Sequence, residues 1–417
     1  MAEMTFGDLL IQKDGLIKGP FGGDIKKSLF IPKSEDTYKV YEQGVVINRD
    51  INRGDYYVSK EYFEKKLKRF EVKENDILLT GAGTLGELFV VPPNSPKGVI
   101  NQALLRIRLN KDVVNQDFFR YYFKYYIKSI ISNINGDSVI PNLPPLPIIK
   151  STDIDIPNIT YQQNIAAILS ALDTKIELNN RINAELEAMA KTLYDYWFVQ
   201  FDFPDDNGKP YKTSGGKMVW NEALKREIPQ GWGIATLLDI AQYTNGLACQ
   251  KYRPIDNNSL RVIKIREMNE GFTSNSELVR VNVPQKIIVE NGDVLFSWSA
   301  SLDVKVWTGG KGALNQHIFK VTSRDYPRSF YYYQLLNYLQ HFKMMADIRK
   351  TTMGHITQEH LQQSRITVPP KELTFKLEKV MYPIMERKVK NDIENQTLAE
   401  LRDWLLPMLM NGQVRVA

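Results

Sequence analysis

The chain has 417 residues and a formal net charge of +6; 43% of its residues are hydrophobic and 24% are charged. This length allows two or three domains of ordinary size, and the composition excludes a disordered chain. The positive charge permits contact with nucleic acid, although a charge of this size is also common in proteins that never bind DNA.

The chain carries none of the usual signals for secretion or for a membrane. Its one cysteine, Cys249, excludes a disulfide framework and is typical of a reducing compartment. The N-terminal residues lack the basic segment and apolar core of a signal peptide. No run approaches the roughly eighteen continuous apolar residues that a membrane helix needs. We therefore expect a cytoplasmic protein.

The motifs of the first half return in the second half in the same order. Four pairs show this: TFGDL at 5–9 with TLLDI at 236–240, ENDILL at 74–79 with NGDVLF at 291–296, Asn101-Gln102 with Asn315-Gln316, and the aromatic run at 118–126 with that at 329–339. Short alternating apolar runs bounded by Gly, Pro, Asn and Asp predict a mixed, mostly β domain with a helix or two in each half.

A long helix is predicted after each β-rich half. Apolar residues recur every seven positions in both, with Asn179 and Asn391 at the third position of each series. This period predicts a coiled coil in which the two asparagines are buried and fix the register. The alternative is that each helix packs separately and leaves its Asn exposed. Thr160 and Gln163 predict a capping box at the start of the first helix, and Pro383 predicts a kink or restart in the second.

These patterns divide the chain into five segments. We predict a first β-rich domain at 1–158, a central long helical region at 159–201, a linker at 202–230, a second β-rich domain at 231–369 and a C-terminal long helical region at 370–417. The fold class is α+β, with an internal pseudo-twofold repeat and two long helices that form an antiparallel coiled coil.

Three runs carry a resemblance to a known family: KGPFGGD at 18–24, the helical run that starts with QQNIAAIL at 162, and IPQGW at 228–232. Together they resemble the specificity subunits of type I restriction-modification systems over nearly the whole chain. The first half departs from the pattern because it lacks the P-x-G-W entry.

The resemblance implies a function for each part. Each β-rich unit would be a target-recognition domain that reads half of a split, asymmetric site in double-stranded DNA. The helices would form a spacer and bind two methyltransferase subunits. Adenine methylation with S-adenosylmethionine and cleavage with ATP and Mg would reside in other chains, so this chain would need no cofactor. Whether a restriction subunit also binds stays open.

No catalytic constellation survives inspection of the sequence. Residues 81–86 match G-x-G-x-x-G, but another strand follows instead of a helix, which favours a tight hairpin or DNA-facing loop over a cofactor site. The four histidines lack metal-ligand spacing, and no phosphate loop or nucleophile elbow is present. A self-contained restriction nuclease or methyltransferase is the alternative, and a coiled-coil scaffold that binds no DNA is a third hypothesis.

Candidate DNA contacts are polar and basic residues in loops, because phosphates need Lys, Arg and backbone amides while base edges need side chains that reach a groove. The alternative for any single Lys or Arg is a solvated surface charge. In the first half the candidates are Gly22, Gly23, Lys26, Lys27, Asn48, Arg49, Asn52, Arg53, Thr80, Ala82 and Thr84; in the second half they are Gln250, Lys251, Arg253, Lys264, Arg266, Ser297, Trp298 and Ser299.

Other repeated residues receive different roles. The Asn-Gln pairs recur in both halves, which favours a shared framework role. The aromatic runs are predicted to be core. Aromatic residues at the ends of the long helices could anchor a partner or cap this protein's own core; these are Tyr194, Trp197, Phe198 and Trp404.

Overall fold

The computed structural model describes residues 4–81, 84–134, 145–348 and 355–416, without the side chains of 127–134 and 347–348. Two compact units form. Unit 1 comprises Met1–Asp173 with Glu400–Ala417, and unit 2 comprises Thr174–Ala399. Two 40-residue helices, α5 at Ile159–Phe198 and α10 at Lys371–Met410, each contribute residues to both units.

In its described residues, unit 1 contains ten short strands and four further helices. The strands are β1 Met4–Thr5, β2 Leu16–Lys18, β3 Thr37–Tyr41, β4 Tyr57–Ser59, β5 Glu71–Val72, β6 Ile77–Thr80, β7 Leu88–Val90, β8 Gly98–Ile100, β9 Leu104–Ile107 and β10 Asp153–Ile154; the helices are α1 Gln43–Asn48, α2 Lys60–Tyr62, α3 Gln116–Ile134 and α4 Leu146–Ser151. Single 3-10 turns lie at Phe6–Leu9, Lys27–Leu29 and Lys68–Phe70, and a π-helical turn lies at Phe63–Leu67.

Unit 2 repeats this order after an added hairpin. Its strands are β11 Met218–Asn221, β12 Arg226–Pro229, β13 Gly233–Thr236, β14 Gln242–Asn245, β15 Ser259–Ile263, β16 Leu278–Arg280, β17 Ile288–Val289, β18 Val294–Ser297, β19 Asp303–Val306, β20 Gly312–Leu314, β21 Ile318–Thr322 and β22 Arg365–Val368; its further helices are α6 Leu237–Ile240, α7 Ile265–Glu270, α8 Arg328–Ile348 and α9 Gln358–Gln363. Single 3-10 turns lie at Cys249–Tyr252 and Gln285–Ile287.

The two units share one sheet topology, so the predicted repeat is confirmed. In unit 1 the four-stranded sheets have the orders β2-β9-β6-β7 and β4-β3-β8-β5, and in unit 2 they have the orders β14-β21-β18-β19 and β16-β15-β20-β17. In each unit one pair is parallel, β3 with β8 and β15 with β20. The mixed, mostly β prediction therefore holds for both halves.

Strand β6 shows why these short runs form a buried sheet. Its alternate residues face two different hydrophobic cores: Leu78 packs with Ile17 and Tyr41, while Ile77 and Leu79 pack with the aromatic face of α3. Strand β18 repeats the arrangement, because Leu295 lies in one core and its neighbours lie in the other, with α8. The period of two sends successive side chains to opposite faces. The aromatic runs of α3 and α8 are core, as predicted.

An acidic residue, buried in unit 1 and half-buried in unit 2, organises the turn before each of these strands. The Asp76 carboxylate accepts a hydrogen bond from the Lys73 amide at 2.7 Å, and the Asp293 carboxylate accepts one from the Glu290 amide at 2.8 Å. A cation then pairs with each: Arg108 Nε lies 2.6 Å from Asp76 Oδ1, and Lys320 Nζ lies 2.7 Å from Asp293 Oδ2. The repeated N-D and G-D dipeptides are thus turn residues with a structural role.

The long helices pair in antiparallel orientation within each unit. In unit 2, Asn183 contacts residues 391 and 392 of α10, and Glu187 pairs with Lys388 at 3.4 Å. In unit 1, Arg402 Nη1 lies 2.7 Å from Asp173 Oδ1. The residues of both predicted seven-residue series are buried or half-buried. The antiparallel coiled coil is therefore present.

Asn179 and Asn391 are both buried, but they do not bond to each other. The Asn179 amide donates to Glu394 Oε2 at 2.8 Å and to Asn395 Oδ1 at 2.9 Å, whereas the Asn391 amide donates to Asn183 Oδ1 at 2.8 Å. The seam is thus a ladder of amides and carboxylates, and its role in register stays a prediction.

Two local predictions on the long helices need correction. Asn158, not Thr160, supplies the cap of α5, because its Oδ1 accepts from the Tyr161 amide at 3.0 Å. The helix consequently starts two residues earlier than the capping box implied. Helix α10 continues through Pro383 without a restart. Among the described helices, none is long and apolar enough to cross a membrane.

We predict that Asn391 and Asn183 are energetically coupled. Asn391→Leu leaves the buried Asn183 carbonyl without its donor, which should lower the free energy of unfolding by about 1–3 kcal/mol. The double variant Asn183→Leu/Asn391→Leu should lose clearly less than the sum of the single changes. Denaturant unfolding of the four proteins measures this coupling.

Gln396→Leu is the matched control, because this amide is exposed on the same helix. It should change stability by no more than about 0.5 kcal/mol. Strict additivity of the two asparagine substitutions would show that the amide pair does not act as a unit.

Candidate DNA interface

Three connections meet at one end of the first sheet in unit 1. The Gly19 amide donates to the Leu104 carbonyl at 2.9 Å, and the Gly81 amide donates to the Ala103 carbonyl at 2.9 Å. These bonds hold the β2–β3 loop and the β6–β7 hairpin against the β8–β9 turn. A Cβ atom on Gly19 would lie 1.8 Å from the Asn101 carbonyl oxygen, so only glycine allows this close approach.

Unit 2 builds the same junction from equivalent residues. The Gly246 amide donates to the Ile318 carbonyl at 3.1 Å, and the Trp298 amide donates to the His317 carbonyl at 3.3 Å. A Cβ atom on Gly246 would lie 2.2 Å from the Asn315 carbonyl oxygen. We call this end of each unit its loop face: the ends of β2, β6 and β9 with their connections in unit 1, and those of β14, β18 and β21 in unit 2.

The repeated asparagines belong to this framework, as predicted. Asn101 Oδ1 accepts from the Ala103 amide at 3.0 Å, and Asn315 Oδ1 accepts from the His317 amide at 3.3 Å. Each side chain thereby shapes the turn that the glycine packs against. The glutamines behave differently from the prediction, because Gln102 is exposed and Gln316 is half-exposed on the loop face.

Most of the candidate residues of the first half lie exposed in the connections that follow β2, β3 and β6. This group comprises Gly22, Gly23, Lys26, Lys27, Asn48, Arg49, Asn52, Arg53 and Thr84, while Ala82 lies outside the described residues. Around α1, the Gln43 amide lies 3.4 Å from the Ala103 carbonyl, and Arg53 packs against Gly44. Burial raises the pKa of Glu42, and Lys39 and Lys27 oppose that rise, which places Lys27 within electrostatic reach of the start of α1.

The basic candidates of the first half are available for a ligand. Within the described ranges, no carboxylate forms an ion pair with Lys26, Lys27, Arg49 or Arg53. Four exposed cations without a carboxylate partner suit the phosphate backbone, whose contacts depend on Lys and Arg.

The basic candidates of the second half divide into two groups. Gln250, Lys251 and Arg253 are exposed in the connection that follows β14. Lys264 instead pairs with Glu277 at 2.6 Å, and Arg266 forms two hydrogen bonds with the buried Glu267. Burial on its own raises the pKa of Glu267, but the bonds from Arg266 and Ser276 outweigh it and leave that pKa below its usual value.

Three hydroxyl candidates are buried and correct the sequence interpretation. The Thr80 side chain accepts from the Glu87 amide at 3.0 Å and closes the β6–β7 hairpin. The Ser297 side chain accepts from the Asp303 amide at 2.9 Å, and Ser299 is likewise buried. Thr80 and Ser297 hold their hairpins together through these hydrogen bonds, and all three side chains are buried where the sequence predicted exposed contacts. Trp298 is half-buried against the core and contacts His317 and His355.

The sequence interpretation missed several residues of the loop face. In unit 1, Lys18 and Gln102 are exposed. In unit 2, Asn245 corresponds to Lys18 and Gln316 corresponds to Gln102, and His317 follows Gln316. Asn245 accepts a hydrogen bond from the Trp298 indole at 3.2 Å, and the side chains of Gln316 and His317 lie 3.3 Å apart. In the sequence, the repeated Asn-Gln dipeptide was the feature that could have pointed to this surface. Only the pairing of distant strands shows that the glutamine of each dipeptide is exposed on it.

The aromatic residues at the end of α5 belong to the core. Tyr194, Trp197 and Phe198 are buried, and Phe198 packs edge to face on Trp232 and Phe330. A partner cannot reach them, so the core alternative holds for these three. Trp404 differs, because 56% of its surface is exposed.

Among the residues that the structure describes, no group of three His, Cys, Asp or Glu side chains could hold a metal ion. The strands on either side of the G-x-G-x-x-G run, β6 and β7, pair in antiparallel orientation, so a strand and not a helix follows the run, as predicted; residues 82 and 83 of the run lie outside the described residues.

We predict that the glycine contact is essential for stability in both units. Gly19→Ala and Gly246→Ala place a methyl group against a backbone carbonyl and should each cost at least about 1–3 kcal/mol of unfolding free energy. Gly22→Ala is the control, because no atom lies within 4 Å of its Cβ position. Thermal unfolding of the three variants measures the effect; a Gly19 variant as stable as the Gly22 variant would contradict the packing described.

Comparison with known proteins agrees with a repeated DNA-recognition unit. The family model described as type I restriction modification DNA specificity domain matches twice, at residues 23–188 and 229–403. The type I restriction enzyme MjaIX specificity subunit of Methanocaldococcus jannaschii is 27% identical over 414 residues, which cover 96% of this chain and 89% of that protein. The HindI specificity subunit of Haemophilus influenzae is 26% identical over 320 residues, 64% of this chain and 70% of that protein.

A solved structure has the same fold. The crystal structure of a type I restriction-modification S subunit from M. genitalium matches with a TM-score of 0.57 at 16% identity, and the match covers 98% of this chain and 95% of that one. The two matches to the family model together span most of the sequence. The chain therefore belongs to the family of type I restriction-modification DNA specificity subunits, which recognise a DNA sequence for their complex.

Proposed function

We propose that the loop face of each unit reads one half of a split, asymmetric site in double-stranded DNA. The observation that carries this proposal is a shared backbone frame that displays different side chains. In unit 1 the backbone amide of Gly81 donates to the carbonyl of Ala103. In unit 2 the equivalent bond runs from the amide of Trp298 to the carbonyl of His317. Two recognition units that share one backbone arrangement but expose different side chains suit a DNA site whose two halves differ in sequence.

The chemistry of the face suits DNA in unit 1. Lys18, Lys26 and Lys27 supply positive charge for phosphates, and the bare backbone at Gly22 and Gly23 allows close approach to them. Gln102 is exposed on the framework turn itself. Its amide can donate and accept at once, which is the pairing that adenine offers in the major groove.

The face of unit 2 has a different set of donors and acceptors. Gln316, His317 and Asn245 lie together around the Trp298 indole, which fixes the Asn245 carbonyl as an acceptor. Lys251 and Arg253 follow in the adjacent connection and carry the charge that phosphates need. Because Lys264 and Arg266 are held by carboxylates, we assign them a positioning role for α7 and no direct contact with DNA.

The long helices are the proposed docking surface for partner subunits. We propose that two methyltransferase subunits bind them, with Trp404 in unit 1 and Met189 in unit 2 as exposed apolar contacts. In this proposal adenine methylation and any cleavage take place in those subunits and in a restriction subunit. S-adenosylmethionine, ATP and Mg would bind there and not to this chain.

The predicted division into two recognition domains, two helical regions and a linker remains part of this proposal, as does a cytoplasmic location. The 202–230 segment contains the β11–β12 hairpin of unit 2 at residues 218–229, and Phe203, which precedes the hairpin, stacks on Trp232. In this proposal it serves as a packed connection between the first helix and the second recognition domain.

We predict that substitutions on the two loop faces act on different halves of the DNA motif. His317→Ala should relax the base preference in one half-site only, and Gln102→Ala should relax it in the other half only. Loss of one base contact costs about 1–3 kcal/mol of discrimination. The readout is the set of adenines methylated in genomic DNA by each variant together with its methyltransferase subunit.

The controls are Gln396→Ala and Gln163→Ala, because both residues are exposed on the long helices and belong to neither loop face. These variants should methylate the same motif as the unchanged protein. A His317 variant that relaxes both halves equally, or a pair of loop-face variants that relax neither, would contradict the assignment of one half-site to each face.

A further inference from the structure

Each unit exposes one large apolar side chain far more than any other described residue of its kind. In unit 1 this is Phe21, with 88% of its surface exposed, and in unit 2 it is Ile255, with 80% exposed. Across the described residues the next value is 60%, for Met344. Single exposed apolar side chains are common on protein surfaces, but the recurrence of a nearly fully exposed one in both units points to a shared role.

The two residues lie in the same connection of the repeated fold. Phe21 lies between β2 and β3, and Ile255 lies between β14 and β15. Each connection starts at the glycine that packs on the framework asparagine, Gly19 in unit 1 and Gly246 in unit 2. The structure thus anchors the base of each connection to the loop face while its apolar side chain remains free.

The surroundings of both residues favour DNA over a protein partner. Lys18, Lys26 and Lys27 lie within six residues of Phe21, with Asp24 as the one acidic residue in that stretch. Lys251 and Arg253 precede Ile255, and Asp256 follows it. An apolar side chain with cations beside it suits a ligand that has charged phosphates outside and apolar base surfaces inside.

The backbone next to Phe21 supports the same conclusion. Side chains are absent at Gly22 and Gly23, and no atom lies within 4 Å of their Cβ positions. The chain can therefore approach a phosphate backbone closely on one side of the phenyl ring. Pro254 restricts the backbone directly before Ile255 and limits the entropy lost when that side chain becomes fixed.

We propose that Phe21 and Ile255 are apolar base contacts, one for each half of the DNA site. Each side chain enters the duplex at its half-site and packs on bases, while the neighbouring lysines and arginines hold phosphates. This proposal rests on the loop faces as the DNA-reading surfaces, and it adds residues that recognise DNA through packing instead of charge or hydrogen bonds.

The test separates packing from charge through the salt dependence of binding. The full chain, assembled with its methyltransferase subunits, is titrated with a duplex that carries the mapped split motif and with duplexes in which one half-site is scrambled. Phe21→Ala should weaken binding to the intact motif by about tenfold or more, because the apolar contact is lost. The slope of log affinity against log salt should not change, because no phosphate contact is removed.

Each substitution should also act on one half-site. The Phe21→Ala protein should distinguish the intact motif from a duplex scrambled in the half read by unit 1 about tenfold less well, and it should still fully reject one scrambled in the other half. Ile255→Ala should show the reverse. Phe21→Leu should retain most of the affinity, because it keeps an apolar side chain.

Two controls separate a failure of the apolar base contacts from a failure of the loop faces as DNA-reading surfaces. Trp220→Ala removes a side chain with 58% exposure in the β11–β12 hairpin and should leave DNA binding unchanged. Lys26→Ala with Lys27→Ala should weaken binding to all sequences and flatten the salt slope by roughly 1 to 2 units. Because all these side chains are exposed, thermal unfolding should stay close to that of the unchanged protein.

The outcomes decide the two claims separately. If the lysine variant flattens the slope while the Phe21 and Ile255 variants bind as tightly as the unchanged protein, the apolar contacts are excluded and the loop face stands. If neither the lysine variant nor the apolar variants alter binding, both the inference and the loop-face assignment are wrong. If Phe21→Ala weakens the intact and scrambled duplexes equally, the side chain does not contact bases.

Discussion

In each unit the architecture of the loop face depends on the packing of a glycine backbone against the carbonyl group of an asparagine. Gly19 contacts Asn101 in this way, and Gly246 contacts Asn315. No side chain fits there. The side-chain carbonyl oxygen of the asparagine accepts a hydrogen bond from the backbone amide two residues later. The contact fixes where one loop leaves the sheet, and hydrogen bonds from Gly81 and Trp298 join a second hairpin to it. Sequence can vary on top of this frame without moving the backbone, which is the property that a family of DNA readers with different targets requires.

The helical part of the chain follows a second constraint, the need to satisfy buried amides. A coiled coil with only apolar residues in its seam would tolerate slippage, whereas each buried amide of the ladder around Asn179 and Asn391 must meet its own partner on the opposite helix. Shifting one helix by a turn would leave several of these groups unpaired at once. We therefore expect the ladder to favour one alignment of α5 with α10, which remains a prediction.

Periodic features of the fold were predictable from the sequence, and features that depend on distant contacts were not. The repeat, the long helices and the aromatic cores leave regular spacings of apolar residues, so TFGDL with TLLDI and the seven-residue series could be recognised directly. Thr80 and Ser297 look like surface hydroxyls in sequence, yet both close hairpins from inside. Tyr194 and Phe198 are aromatic residues at a helix end, and only the packing of Trp232 and Phe330 shows that they are buried. Lys18 and Gln102 join one surface because β2 pairs with β9, which no local pattern reveals.

The central claim is that two units with one frame and two surfaces read two parts of one DNA site on behalf of catalytic partners. Single-molecule sequencing of genomic DNA, methylated by this chain with its methyltransferase subunit and by each protein alone, tests it most directly. The account predicts modified adenines in a single motif of two different specific segments separated by a nonspecific spacer, and only when both proteins are present. A continuous motif, or methylation by this chain alone, would contradict it.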